Sequence, residues 1–410
     1  MLALATLAAA GVVALVELLL GGARSPASWG YVAAALAFLL STAQAAPPLA
    51  FASRLARGFW GISLRRAADL WVVAGLVTTP LLIVLLTRLP DWHNRPSIWL
   101  NWPGAPGVWD AVGITVLLLA GLALLWAGAR PDRAAARALR GGSASAWRGT
   151  VRAWSVLTLG MKALGGLYLL VLVFVHLLVV SDLALSLVPG WSSPNMPPYH
   201  AVTALQAGIA TTLLTLAALR YFGGLERYIR RDAFHAAGKL LLSLSLLWFY
   251  FTWAELLTYW YGRTPAELHL LDLLMFGPYL GLFAAAALLN FVLPFLVLLW
   301  NRVRLTVAGP TLAAALVLLG NYVDRVRIYV AAWSVAGPPR PELDQVPAAQ
   351  WPGLPEVLVL LGMPAAALLL YLLALRLLPA VSLWEYRAGA LLEVERPYLK
   401  TRVPVIAKPS

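Results

Sequence analysis

The chain has 410 residues, 61% of them hydrophobic and 12% charged, with a mean hydropathy of +0.78 and a net charge of +13. That composition belongs to polytopic membrane proteins and excludes an ordinary soluble fold. With no cysteine, it also excludes disulfides, thiolate-ligated iron–sulfur clusters and a cysteine nucleophile within this chain.

The first apolar run, Leu2 to Leu20, has no Lys or Arg ahead of it and is longer than the hydrophobic region of a signal peptide, so it reads as a retained helix over 2–22. Apolar runs of about 20 residues predict further helices over 29–50, 68–89, 108–129, 163–187, 200–220, 239–261, 274–300, 305–332 and 355–379. The expected fold class is an all-α integral membrane protein of about ten transmembrane helices, occupying 1–380, with a cytoplasmic tail over 381–410.

Connections after even-numbered spans, together with the tail, hold 23 of the 31 Lys and Arg, among them Arg54, Arg57, Arg65, Arg66, Arg227, Arg230 and Arg231. Odd-numbered connections hold Arg24, Arg88, Arg95, Arg263 and Arg340. The positive-inside rule then puts both termini in the cytoplasm. This asymmetry accounts for the basic charge, so membrane lipid rather than nucleic acid is the expected partner. The outer connections, 91–107 (DWHNRPSIWLNWPGAPG), 189–199 and 334–355, are rich in Trp, Pro and Gly and poor in charge. They fit an interfacial aromatic belt and also a docking surface.

The stretch over 165–200, GGLYLLVLVFVHLLVVSDLALSLVPGWSSPNMPPYH, carries the chemistry. His176 and Asp182 interrupt an apolar run, where each costs a few kcal/mol unless it meets a partner or a cavity. The run ends at Pro189-Gly190-Trp191, and an uncharged Pro-rich loop leads to Tyr199 at the mouth of the next span. Two polar groups therefore lie beneath an aromatic lid. Separated by six positions, His176 and Asp182 point about 120° apart on an ideal helix. His93, His200, His235 and His269 fall in loops or at span ends, which argues against a two-histidine haem. Glu255, Asn321, Asp324, Arg325 and Arg327 fall in the outer halves of later spans. Asp324 and Arg325 read either as a structural ion pair with a partner helix or as part of a proton relay with Glu255. Asp69 and Lys162 lie near inner span entrances, where snorkelling accounts for both and where a proton path can also start. No metal-ligand spacing is present.

The run HLLVVSDLALSLVPGWSSPNMPPYH resembles the signature of the NrfD, or polysulfide-reductase membrane-subunit, family, and in particular the quinol-oxidising subunits of alternative complex III. His176, Asp182, Pro189, Gly190, Trp191, Pro197, Pro198 and Tyr199 match that pattern. Further pieces agree: ARGFWGISLRRAADL over 56–70, Gly224-Leu225-Glu226 with Tyr228-Ile229, Glu255 before Trp260-Tyr261-Gly262, Phe276-Gly277-Pro278-Tyr279, and the segment from Asn321 to Arg325. Ser181 and Ser192 depart from it, standing where relatives often carry Phe and His.

The resemblance implies two four-helix bundles, about 29–187 and 200–332, with flanking helices, in a bacterial cytoplasmic membrane. It implies that the chain binds menaquinol or ubiquinol without haem, iron–sulfur cluster or flavin of its own. Electrons would pass to an iron–sulfur protein and c-type cytochrome subunits on the outer face, and a paralogous membrane subunit would lie alongside. His176, Asp182, Trp191 and Tyr199 would form the quinone site, and Glu255, Asp324, Arg325, Asp69 and Lys162 the proton relay. A non-catalytic paralogous anchor and a proton or solute transporter stand as alternatives, the transporter requiring a broken helix or a continuous polar path.

Overall fold

The computed structural model describes residues 1–90, 101–140, 147, 149–337 and 342–391, and the backbone of 393–398 and 401–406. Trp99, His93 and Arg95 in the first outer loop, and Arg340, lie outside the described residues.

Eight helices are long and apolar enough to cross a membrane. They are α1 (Leu2–Gly22), α4 (Phe59–Leu86), α5 (Gly107–Leu139), α6 (Val151–Leu187), α7 (Met196–Tyr221), α8 (Arg231–Gly262), α10 (Leu280–Leu299) and α12 (Leu354–Leu377). Two more complete ten spans among the described residues. One is α11 (Ala308–Ser334), whose apolar run carries Asp324, Arg325 and Arg327. The other is α2 (Ala27–Ser41), continued after a break by α3 (Pro47–Leu55). A short α9 (Pro265–Leu271) precedes α10, and α13 (Leu383–Ala390) follows α12. The tail ends in a two-stranded antiparallel hairpin, β1 (Glu393–Tyr398) and β2 (Thr401–Ile406).

The predicted span over 29–50 is not continuous. Pro47 and Pro48 open α3 and supply no N–H to the preceding turn, so the helix stops at Ser41 and restarts five residues later. The break is anchored by its neighbours. Thr42 caps back onto the Phe38 carbonyl, Thr78 donates to the Gln44 amide oxygen at 3.1 Å, and the Tyr168 hydroxyl donates to the Gln44 carbonyl at 2.8 Å. On the facing helix, Gly208 lies directly against the Ala45 carbonyl, so no Cβ fits there.

Helices α2/α3, α4, α5 and α6 pack in sequence around one ring, and α7, α8, α10 and α11 around a second. Where the rings meet, α2 packs on α11 and α6 on α7. The most apolar window of α7 is 72% buried, against 22% for α1, α8 and α10, which makes α7 the central post. Helices α1 and α12 flank the bundle, and Gly11 and Gly362 bring their backbones into contact.

At the end assigned to the cytoplasm, the tail is built into the bundle and does not hang free. Arg54 donates to Asp69 at 2.6 Å and to Glu385 at 3.1 Å, and Arg65 reaches Glu385 at 3.4 Å. Arg66 pairs with Asp132 at 3.1 Å, and the same carboxylate accepts from the Ser382 hydroxyl and the Trp384 backbone N–H. Asp69 is thus 1% exposed in an ion pair, not snorkelling at an entrance. Burial alone would raise the Glu385 carboxyl, but Arg54 and Arg65 outweigh it and hold the group below the ordinary range.

Two outcomes are expected. Gly208→Ala pushes a methyl into the Ala45 carbonyl and costs about 1–3 kcal/mol, read as a lowered midpoint in detergent unfolding; an unchanged midpoint contradicts the packing. Because the Glu385 value is depressed on folding, its contribution is complete above the unfolded value of about 4.3 and disappears as pH falls through the folded value. Stability measured against pH should therefore lose an acid-sensitive component in Glu385→Gln, with the pH dependences of the two proteins converging once pH has fallen below the folded value.

Candidate functional site

Beneath the 188–195 loop, at one end of the second ring, lies a narrow cleft of about 30 Å³ between α7, α8, α9 and α11. Its walls include Trp191, Tyr199, Glu255, Tyr259, Met275 and Arg327. The lid is shaped locally: Gly190 has φ +75°, which L side chains rarely adopt, and this turn places Trp191 under the surface at 6% exposure. Ser193 then accepts from the Met196 N–H at 3.1 Å and starts α7.

Glu255 is bound on one side only. Its Oε2 accepts from Ser193 Oγ at 2.7 Å and Asn195 Nδ2 at 3.0 Å, while Oε1 is buried with no hydrogen bond. The Tyr259 hydroxyl stands beside Glu255, Ser193 and Trp191. Across the cleft, Tyr199 Oη donates to Asp324 Oδ2 at 2.8 Å, and Asp324 Oδ1 accepts from Arg327 Nη2 at 2.8 Å. Arg327 Nη1 goes on to the Leu274 carbonyl at 2.6 Å. That carbonyl is free because its helical partner four residues on is Pro278, which has no N–H. The same device recurs in α10. Pro294 releases the Asn290 carbonyl inside a π-turn (Leu288–Val292), and Gln206 Nε2 donates to it at 2.9 Å.

Asp324 therefore pairs with Arg327, not with Arg325 as their adjacency suggests. Neighbours on a helix point about 100° apart, whereas positions three apart share a face. Arg325 looks inward, donating to Thr203 Oγ1, while its Nε and Nη1 have no partner.

Behind the cleft lies a histidine pair. His200, one residue past Tyr199, is fully buried, not at an open span end, because α7 begins at Met196 beneath the lid. Its Nδ1 is 2.9 Å from His176 Nδ1, and its Nε2 is 2.9 Å from the Tyr329 hydroxyl. One tautomer assignment serves both contacts of the pair: Tyr329 donates to His200 Nε2 and His200 Nδ1–H donates to His176 Nδ1, which leaves His176 Nε2 buried without a hydrogen-bond partner. At 2.9 Å the two nitrogens stand at hydrogen-bond distance, closer than the roughly 3.3 Å between two nitrogens of a tetrahedral zinc site.

His176 and Asp182 diverge as their spacing requires. His176 faces α7 and α2, whereas Asp182 faces the Asp110 carboxyl at the start of α5, both 1% exposed. Neither lines the cleft. Trp191, Tyr199 and Glu255 do, with Asp324 directly behind Tyr199. Asp69 belongs to the network at the opposite end, and Lys162 is exposed on α6. Sequence reading missed His200, Ser193, Asn195, Arg327 as the partner of Asp324, and Asp110. The spacing of Asn321, Arg325 and Tyr329, four apart, against His200, Thr203 and Gln206, three apart, was the available signal for the α7–α11 seam. Among the described residues no group of three or more His, Asp or Glu side chains is arranged to hold a metal ion.

Neither a protein-family model nor a curated protein sequence matches the chain. The fold and its lid define a polytopic helical membrane protein with an acidic, aromatic cleft at one end of the bundle, backed by a buried hydrogen-bonded histidine pair.

The pairing predicts an order of stabilities. Arg327→Met strands Asp324 in the interior and costs about 3–5 kcal/mol, whereas Arg325→Met removes a guanidinium left partly unpaired and costs less. Thermal unfolding of both variants in one detergent checks this, and the reverse order restores the Asp324–Arg325 pair.

Proposed function

We propose that this chain is the quinol-binding membrane subunit of a multisubunit quinol oxidoreductase in a bacterial cytoplasmic membrane, with the cleft opening toward the outer face. The observation that carries the reading is Glu255 Oε1, a buried carboxylate oxygen with no hydrogen bond in an aromatic-walled cleft. Oxidising a quinol to the quinone removes two electrons and two protons, so each hydroxyl needs an acceptor. Glu255 Oε1 takes one proton. Tyr199 takes the other as its own passes to Asp324, the oxygen 2.8 Å away. His200 and His176, behind Tyr199, offer a two-step continuation from the Tyr329 hydroxyl toward α2. At about 30 Å³ the cleft closes around little more than a water, so a menaquinol or ubiquinol head enters by lifting the Trp191 lid.

In this reading His176 acts behind the pocket and not on the substrate, and Asp182 acts with Asp110. The electrons leave to an iron–sulfur or c-type cytochrome subunit seated on the outer loops around Trp102 and Trp191, and a paralogous membrane subunit completes the complex. The basic connections face the cytoplasm.

Turnover of the intact complex with a quinol analogue tests this. Glu255→Gln and Tyr199→Phe should each lower kcat by about 10²-fold with assembly intact, and His176→Ala should lower it less. Wild-type turnover in Glu255→Gln removes the carboxylate from the mechanism. A reporter fused after Ala144 should read cytoplasmic and one after Ser193 external; the opposite pattern inverts the proposed site.

One observation favours a second reading, a proton or solute transporter: the break between α2 and α3, lined by Gln44 and packed on α7 at Gly208. Proton flux in liposomes holding the chain without quinol separates the two, since the oxidoreductase reading expects none.

A further inference from the structure

A second cavity, about 310 Å³, opens at the opposite end of the molecule. It lies between the start of α4 (Phe59, Trp60, Ser63), the loop before α8 (Arg227, Tyr228, Arg230) and the tail helix α13 (Tyr386, Ala390). It has room for about ten waters at roughly 30 Å³ each, which is ample for a headgroup and excessive for a single ion.

Its chemistry is that of an anion site. Arg227 and Arg230 line it from adjoining turns, opposed only by Asp232, whose carboxylate is 3.4 Å from Arg230 Nε. Ser63, 6% exposed, belongs to the same lining and adds a hydroxyl-bearing side chain. The walls are stiff: the Arg230 guanidinium lies 5.6 Å over the Phe59 ring, and Tyr228 meets Tyr386 edge-on at 5.3 Å. Arg220 fixes the loop itself by donating to the Glu226 and Ile229 carbonyls. Guanidinium forks and a hydroxyl match phosphate oxygens better than they match any uncharged ligand. Just before the loop the chain exposes Tyr221 at 58% and Phe222 at 91%, an aromatic surface suited to the acyl region beside a headgroup.

We propose that this cavity binds a phosphate group, held by Arg227, Arg230 and Ser63, and that its source is an anionic phospholipid of the cytoplasmic leaflet. The bound lipid joins α13 to α4 and the start of α8, independently of what the outer cleft does.

The full chain in nanodiscs of phosphatidylglycerol and phosphatidylcholine, released for native mass spectrometry, tests the assignment. Wild type should retain one phosphatidylglycerol, and Arg227→Gln/Arg230→Gln at least ten-fold less, with Arg227→Lys/Arg230→Lys between them. Ser63→Leu, which fills the cavity without touching charge, should also release the lipid and guards against a general charge effect. Millimolar inorganic phosphate is the second arm: if it leaves the lipid in place the source is the membrane, and if it displaces the lipid the site serves soluble phosphate compounds. Equal lipid retention by wild type, the Gln variant and Ser63→Leu overturns the assignment, as does a wild type that holds neither lipid nor phosphate.

Discussion

The Arg327 guanidinium holds together the cleft end of this fold. A cation inside a bundle costs least when its N–H groups find acceptors and its charge finds a counterion. Arg327 meets both needs by gathering three pieces of chain: Asp324 on its own helix, the Leu274 carbonyl beyond α9, and, through Asp324, the Tyr199 hydroxyl on α7. The cleft is what remains between these pieces. Its geometry is therefore set by a stability requirement, and a ligand there works inside walls already held in place.

Proline supplies the acceptors that make such buried donors affordable. Pro278 and Pro294 each remove one backbone N–H, and the carbonyls so released receive Arg327 and Gln206. In water a freed carbonyl would be hydrated at little cost; in a bundle it is a vacancy for a side chain. The α7–α11 seam extends this logic inward, where His200 meets Tyr329 and Thr203 meets Arg325. Polar atoms left over there, on His176, Gln206, Asn321 and Arg325, are of the kind that ordered water fills in protein interiors.

Spans were legible because hydrocarbon thickness dictates apolar length, and nine of the ten predicted helices appear unbroken at their centres. The tenth was misread at Pro47-Pro48, since a window of apolar residues does not register a missing N–H. Trp191 and Tyr199 were legible beside the cleft because the lid motif is a local signal, and Glu255, read as part of a proton relay, stood out as a lone intramembrane carboxylate. His176 and Asp182, read as pocket residues, do not line the cleft. The pairings were not legible. Asp324 chose Arg327 over its neighbour through helix phase, and His200 looked peripheral because the loop before it folds over its helix end. Glu385 and Asp132 met their arginines only through the tertiary fold.

That last network bears on how the chain comes to be made. Asp132 and Ser382 are 250 positions apart, and Arg54 and Glu385 are 331 apart. While the ribosome is still working, Arg54, Arg65 and Arg66 stand with too few carboxylates, since Asp69 and Asp132 are the partners so far available. This end of the bundle can close only when the last helix has been inserted and α13 has come back against it. A chain that stalls before that point keeps an excess of positive charge at its inner end, a difference by which finished and unfinished molecules can be told apart at the membrane surface.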